Sequence, residues 1–358
     1  MKKVCRLLFF AILPMVSEAQ YERILNNPDV IWAAEMDVVY YLRPPVPSDS
    51  VQQNDIIFWK NFDPKNRTPY EGGEMLMEKI LAAARSGAWP AWQFGDTVRL
   101  LSVYEVSRRL DSHDTIVTID VETGKEEVKT VLSECDPASF FAIRAKQLLY
   151  FDEKKGDFEL LTYAVAPVRR VTQEVLEKSG EWKEIHLFDY VPFWLKMPDF
   201  SKKRPRKQPN VNDSNISWAA QIKTLGNSPE LEKLHPFKNF KPPVMRVLLG
   251  RFRTDAGLQV YDALDAPISF EARRSMLFSS DTVVTFDPET YEEKLEITHK
   301  ELRAEDFPRL RLVQNWYWDE RHRRLVIHLQ SFAPVISVYD LYRGRFLYER
   351  PLFYRRKK

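Results

Sequence analysis

From Ala145 the chain alternates: Ala145, Gln147, Leu149 and Phe151 fall on one side, and Arg144, Lys146, Leu148 and Tyr150 on the other. A period of two over this length predicts a half-buried strand. The charged run Asp152-Glu153-Lys154-Lys155-Gly156-Asp157 follows, and Phe158 to Val168 then resumes an apolar, strand-forming composition. The pattern predicts a hairpin whose loop-tip carboxylates, Asp152 and Glu153, are solvated. Pro167 is placed at the far end of the return strand, where a missing N–H does least harm.

The same pattern returns 167 residues later. Leu312, Gln314, Trp316 and Trp318 take the first face, Arg311, Val313, Asn315 and Tyr317 the second, Asp319 to Arg324 the loop, and Leu325 to Val335 the return strand with Pro334. The register holds without a gap from Asp114–Val168 to Asp281–Val335, and about 18 of the 55 paired positions are identical. A gapless match of that length predicts two copies of one unit. Leu187 to Trp194 parallels Phe346 to Phe353, which carries the likeness past the hairpin.

Around the hairpins the patterning is shorter. Val30 to Leu42 is an apolar run, helix or strand pair, stopped by Pro44-Pro45, and Ile56 to Trp59 reads as a short strand. Leu76, Met77, Ile80, Ala83 and Ala84 are spaced for an amphipathic helix over Gly73–Ser86, with Gly87 where a left-handed cap belongs. Trp89-Pro90-Ala91-Trp92 then leads into a strand or an extended arm. Pro242 to Tyr261 allows a second helix and arm, though in no clear residue register. Lys202 to Asn215, basic and punctuated by proline, reads as a solvated linker. The expected fold is therefore α+β, a tandem duplication of an antiparallel β-hairpin-containing unit with short helices on one face. It divides into a first domain over 20–200, a linker over 201–235 and a second domain over 236–358.

The first residues change the compartment. Met1 to Arg6 is basic, Leu7 to Val16 is apolar but too short to span a bilayer, and Ser17-Glu18-Ala19 is a small-x-small cleavage site. Residues 1–19 thus read as a signal peptide and the mature chain as exported to the periplasm. Removing them leaves about fifty charges of each sign, so nothing favours nucleic acid as a partner. It also leaves Cys135 without a second cysteine in the chain, so the fold cannot depend on an internal disulfide. Some 44% hydrophobic and 13% aromatic residues are enough to fill two ordinary cores.

Candidate chemistry adds little. The sequence holds no G-x-S-x-G, H-E-x-x-H, P-loop or G-x-G-x-x-G, and only eleven glycines from which to build phosphate-binding loops. His322 is surrounded by Arg321, Arg323 and Arg324, which disfavours zinc. No nucleophile, base and orienting group come together, so no catalytic, cofactor-binding or metal site is predicted and the chain is read as a binding protein rather than an enzyme. Partly exposed aromatics should anchor its partners, with Trp89, Trp92 and Trp194 as the candidates and Trp316 and Trp318 assigned to the core.

In order, Asn66-Arg67-Thr68-Pro69-Tyr70, the helix ending at Ser86-Gly87, Trp89-Pro90-Ala91-Trp92, Asp136-Pro137-Ala138-Ser139, Gln147 to Asp152, Ala164 to Val168 and Pro192-Phe193-Trp194 resemble the GldN/PorN family. Its members are periplasmic components of the type IX secretion and gliding machinery. The resemblance covers about residues 20 to 200. It implies a non-enzymatic building block of a ring under the outer membrane that self-associates within the ring. It further implies binding to an outer-membrane lipoprotein (GldK/PorK-like) and to the periplasmic part of an inner-membrane motor protein (GldM/PorM-like). The competing class is an exported carbohydrate- or peptide-binding protein in which the tryptophans line a groove.

Overall fold

In a computed structural model the described residues are 21–42, 54–93, 99–119, 123–176, 181–197, 208–227, 244–286, 289–290, 292–307, 309–339 and 345–356. The expected signal peptide and the basic stretch Lys202 to Lys207 lie outside them.

The order of elements is β1 (Val30–Tyr41), β2 (Asn54–Asn61), α1 (Gly72–Arg85), β3 (Ala91–Gln93), β4 (Arg99–Leu101), α2 (Val103–Leu110), β5 (Ser112–Ile119), β6 (Glu126–Ser133), β7 (Phe140–Asp152), β8 (Asp157–Leu176), β9 (Trp182–Tyr190) and β10 (Trp194–Lys196). It continues with β11 (Ile216–Asn227), α3 (Val244–Thr254), β12 (Val260–Tyr261), β13 (Pro267–Ile268), α4 (Phe270–Met276), β14 (Phe278–Phe286), β15 (Glu293–Glu301), β16 (Arg309–Asp319), β17 (Arg324–Tyr339), β18 (Phe346–Pro351) and β19 (Arg355–Arg356). The architecture is mostly β, with few helices, on two antiparallel sheets, which meets the α+β expectation only in part. The first sheet runs β1-β7-β8-β10-β3-β4 with β9 also on β8, and the second runs β18-β17-β16-β11-β2 with β19 also on β17.

The two predicted hairpins are present in one common register. β7 pairs β8 with Asp152 opposite Asp157 and Ala142 opposite Val168, and β16 pairs β17 with Asp319 opposite Arg324 and Arg309 opposite Val335. Each ladder shifts at the same point, between Lys146 and Gln147 and between Val313 and Gln314, so that Tyr163 and Gln330 are the extra, bulged residues. β1 on β7 and β11 on β16 also correspond, with Val30 opposite Asp152 and Ile216 opposite Asp319.

Three expectations need correction. Residues 216–227 fall within the range read as linker, yet they form β11 between β16 and β2. The cause is local: Trp218, Ala220 and Ile222 alternate as a strand face and are all buried, and Ile216 and Ala219 are buried in a second cluster. Pro167 and Pro334 lie inside β8 and β17, not at their ends. The outer edge of each strand changes partner there: β8 passes from β10 at Val165 to β9 at Arg169, and β17 from β19 at Phe332 to β18 at Val335. A residue without an N–H falls in the gap between the two ladders. The likeness beyond the hairpins is also shifted by one residue. Trp194 is bonded to β3 as Tyr354 is bridged to Tyr261, and buried Phe193 matches buried Phe353.

The two largest cores lie between the halves. α1 buries Leu76, Met77, Ile80 and Ala84 in a cluster that includes Trp218, Trp316, Trp318 and Leu325 of the second sheet. α3 buries Met245, Leu248, Leu249 and Phe252 in a cluster that includes Trp32, Phe151 and Phe158 of the first. Each helix thus shares a core with residues of the other half of the chain, and the two largest clusters draw on both sides of the 201–235 boundary, while smaller ones around Tyr150 and around Trp194 lie within the first half. Close approach explains one of the glycines at the start of α1, because a Cβ at Gly73 would sit 2.8 Å from the Leu42 carbonyl oxygen.

Hydrogen bonds follow the same exchange. The indole of Trp89 donates to the Arg323 carbonyl at 3.1 Å, and the Arg251 guanidinium donates to the Gly156 carbonyl. Gly156 and Arg323 hold the equivalent place in the two loops, and both have positive φ, 67° and 46°. Where the sheets meet, Gln147 Nε2 donates to Gln314 Oε1 at 3.1 Å, Tyr40 donates to Gln147 at 2.6 Å and Gln314 donates to Tyr40 at 2.8 Å. Trp316 donates to Gln314 at 3.1 Å, and Gln147 reaches Thr162 at 2.9 Å, which gives these buried amides partners within one network. Burial pushes the Tyr40 hydroxyl well above its ordinary pKa, so it stays a neutral donor.

Candidate interaction surfaces

The three tryptophans chosen as anchors separate on burial. Trp89 is 1% exposed, against Trp318 at a ring-centroid distance of 5.6 Å, and Trp194 is 7% exposed among Ala164, Ala166 and Trp92. Only Trp92 keeps appreciable exposure, with the Lys196 ammonium 5.8 Å from its ring centroid. The premise of exposure is therefore corrected for Trp89 and Trp194. The short strands β3 and β10 pair Trp92 with Trp194 and draw both toward the first sheet. Trp316 and Trp318 are core, as expected, and Trp32 and Trp218 join them, so most of the tryptophans that a ligand groove would use are interior.

Of the paired carboxylates, Glu153 is exposed as expected, but the two aspartates are not solvated loop tips. Asp152 and Asp319 are buried, because each turns inward to accept a loop N–H, from Lys155 at 3.0 Å and from His322 at 3.1 Å. Asp319 also accepts from Arg324 at 3.1 Å and lies 2.7 Å from His322 Nδ1. Burial opposes its charge, but the bonds from the His322 side chain and backbone and from Arg324 outweigh it and hold the carboxyl below the usual range. Glu320 is bound by Lys79 of α1 and by Ser217, and so ties the second loop to the first half. These groups hold the loops. Among the described residues no group of three or more His, Cys, Asp or Glu is placed to hold a metal.

What the surface does offer is projecting β-ribbon. β5–β6 and β14–β15 are two-stranded ladders outside both large sheets. On β5–β6, Val117 lies opposite Val128 and both are exposed, with Ile119 beyond them; on β14–β15, Val284 and Phe286 are exposed. The sequence from Ser112 to Ser133 carries five carboxylates against two lysines and that from Asp281 to Glu301 seven against two, so both stretches are acidic. A second pair of projections is formed where β8 and β17 run past their prolines. β9 on β8 exposes Trp182, Ile185, Leu187 and Phe188, and β18 on β17 exposes Phe346, Leu347 and Tyr348. Isolated two-stranded ribbons are marginal in water, and clustered exposed apolar side chains mark contact surfaces.

Sequence reasoning missed these ribbons as a site because it weighed tryptophans singly. The available signal was Trp182-Lys183-Glu184-Ile185-His186-Leu187-Phe188, whose apolar residues do not keep to one side of a strand. Such a strand has no solvent face to spare. No described helix is long and apolar enough to cross a membrane.

A family model described as "Gliding motility associated protein GldN" matches residues 52–223 and 233–355, most of the chain and both of its halves. The search of curated proteins found no match.

Proposed function

Because the chain belongs to the GldN family of gliding motility proteins, components of the type IX secretion and gliding machinery, we propose that it is a non-enzymatic structural subunit of a periplasmic ring held at the outer membrane. The observation that carries this reading is the contrast between an interlocked interior and apolar ribbons left on the outside. A subunit of an assembly needs a rigid body and several separate contact surfaces, whereas an enzyme needs one cleft with convergent polar groups.

In this reading the chain binds an outer-membrane lipoprotein of the same machinery, contacts the periplasmic part of an inner-membrane motor protein and associates with further copies of itself. The acidic, apolar ribbons β5–β6 and β14–β15 are our candidates for contact with the other proteins, and Trp92, the expected anchor that keeps appreciable exposure, is a further candidate. We further propose that the chain arose by tandem duplication, with the first unit over 20–200 and the second beginning near Ile216. Support comes from the hairpin registers that match at an offset of 167 residues and from the bulges at the same positions within them.

Separation of the detergent-solubilised envelope by size tests the proposal. Recovery of the chain in a particle of megadalton size together with a lipoprotein is expected. Recovery as a free monomer whose melting temperature rises with a small sugar or peptide would overturn it.

A further inference from the structure

The arms β8–β9 and β17–β18 share one irregularity. In β9 the register passes from Val171 opposite Phe188 to Thr172 opposite His186, so Leu187 is the extra residue, and in β18 it passes from Val338 opposite Tyr348 to Tyr339 opposite Phe346, so Leu347 is extra. A bulge re-aims a side chain and increases the local twist of the strand that holds it. Here it presents leucines that are 50% and 54% exposed, each followed by an aromatic, Phe188 or Tyr348, that is about as exposed. Among the described residues each bulged strand pairs on one side only, β9 with β8 and β18 with β17, so both arms end a sheet on this side.

The arms differ in charge. From Arg169 to Tyr190 the first carries five carboxylates against two arginines and two lysines, and from Val335 to Pro351 the second carries three arginines against two carboxylates. Glu174 and Glu184 face each other directly across the first arm, which costs stability in an isolated ribbon and is relieved by a neighbouring cation. Two apolar edges of matched shape and opposite net charge occur in every copy of the chain. An edge that matches another edge of the same chain, and not itself, joins copies head to tail.

We propose that the β8–β9 arm of one copy docks edge to edge on the β17–β18 arm of a second copy, with Leu187 and Phe188 against Leu347 and Tyr348. The apolar residues hold the contact, and the opposite charges favour this pairing over β9 with β9, which would set carboxylates against carboxylates. The inference rests on the proposed self-association and names the surfaces that make it.

The test uses the full chain in its envelope assembly, with Cys135→Ser to remove the background thiol and Leu187→Cys combined with Leu347→Cys. Oxidation is expected to give a ladder of disulfide-linked multimers of this chain, and either cysteine alone should give no more than a dimer. Leu187→Asp, at an exposed position, should keep the melting temperature and lower the assembled fraction at least tenfold. If assembly stays intact and no ladder forms, or if the cysteines link to a different protein, the arm pairing is wrong while self-association stands. If the wild-type chain does not assemble at all, the underlying reading fails instead.

Discussion

The two hairpins, β7–β8 and β16–β17, are alike on the inside and unlike on the outside. Both bulge at the same step, both carry a buried glutamine beside the bulge and both close a loop on an inward-turned aspartate. Their outer extensions differ in charge, and among the described residues the second sheet has an added strand, β2, on its β11 edge, where the first ends at β1. Where two similar units pack on one another, interior positions must fit both partners at once, while an exposed arm must fit only what binds it. The likeness thus marks the structural part of the molecule and the difference marks the part open to specialisation.

The tie between the halves can be broken at its tightest point. Trp89→Ala empties a fully buried site against Trp318 and removes the bond to Arg323, and should cost about 3–5 kcal/mol in denaturant unfolding. Arg251→Ala cuts the counterpart bond to Gly156 from a side chain about a third exposed and should cost about 1 kcal/mol. Equal losses would mean that the exchange of helices is not weighted toward α1.

The glutamine contact sharpens the comparison next. Gln314→Leu leaves Trp316 without its acceptor and strips Gln147 of a partner, so a loss of about 2–3 kcal/mol is expected. Gln147→Leu should behave similarly, and the double variant should cost at least about 1 kcal/mol less than the sum. Strict additivity would show that the two amides do not act as one network.

Much of this was legible in the chain itself, and the reasons it stopped are physical. Alternation and the 167-residue offset located both hairpins, and the spacing from Leu76 to Ala84 located α1, because those signals are local. The partner of α1 was not legible: nothing at Met77 or Ile80 states that Trp218 and Trp316 lie above them, since that contact is settled by the docking of the halves. Trp89 and Trp194 were misread for the same reason, because their burial depends on distant elements. Leu187 escaped notice because a bulge interrupts the period of two that makes a strand recognisable.

Smaller effects test the loops. The Asp319 carboxyl has a lowered folded pKa, so its stabilising bonds are fully present above the ordinary aspartate value near about 4 and are lost as pH falls through the lower folded value. Wild type should exceed Asp319→Asn by about 1–2 kcal/mol at pH 7, and the gap should close below about pH 4 in unfolding measured against pH. A gap that does not narrow at all as the pH is lowered below about 4 would contradict the assignment. Cys135 should matter least. It is half-buried, burial pushes its thiol up, and Cys135→Ser should change stability by no more than about 0.5 kcal/mol, with alkylation of the native thiol slow at pH 7.

The proposed arm contact implies that exposed arms, and not the buried tryptophans, join this chain to its neighbours. The direct measurement compares Trp182→Ala combined with Phe188→Ser against wild type, recording both the melting temperature and the share of the chain recovered in the high-mass envelope particle. Trp182 is 68% exposed and Phe188 53%, so the account predicts a melting temperature within about 2 °C of wild type and loss of most of the chain from the particle. Full recovery in the particle, or a collapse of the melting temperature, would contradict it.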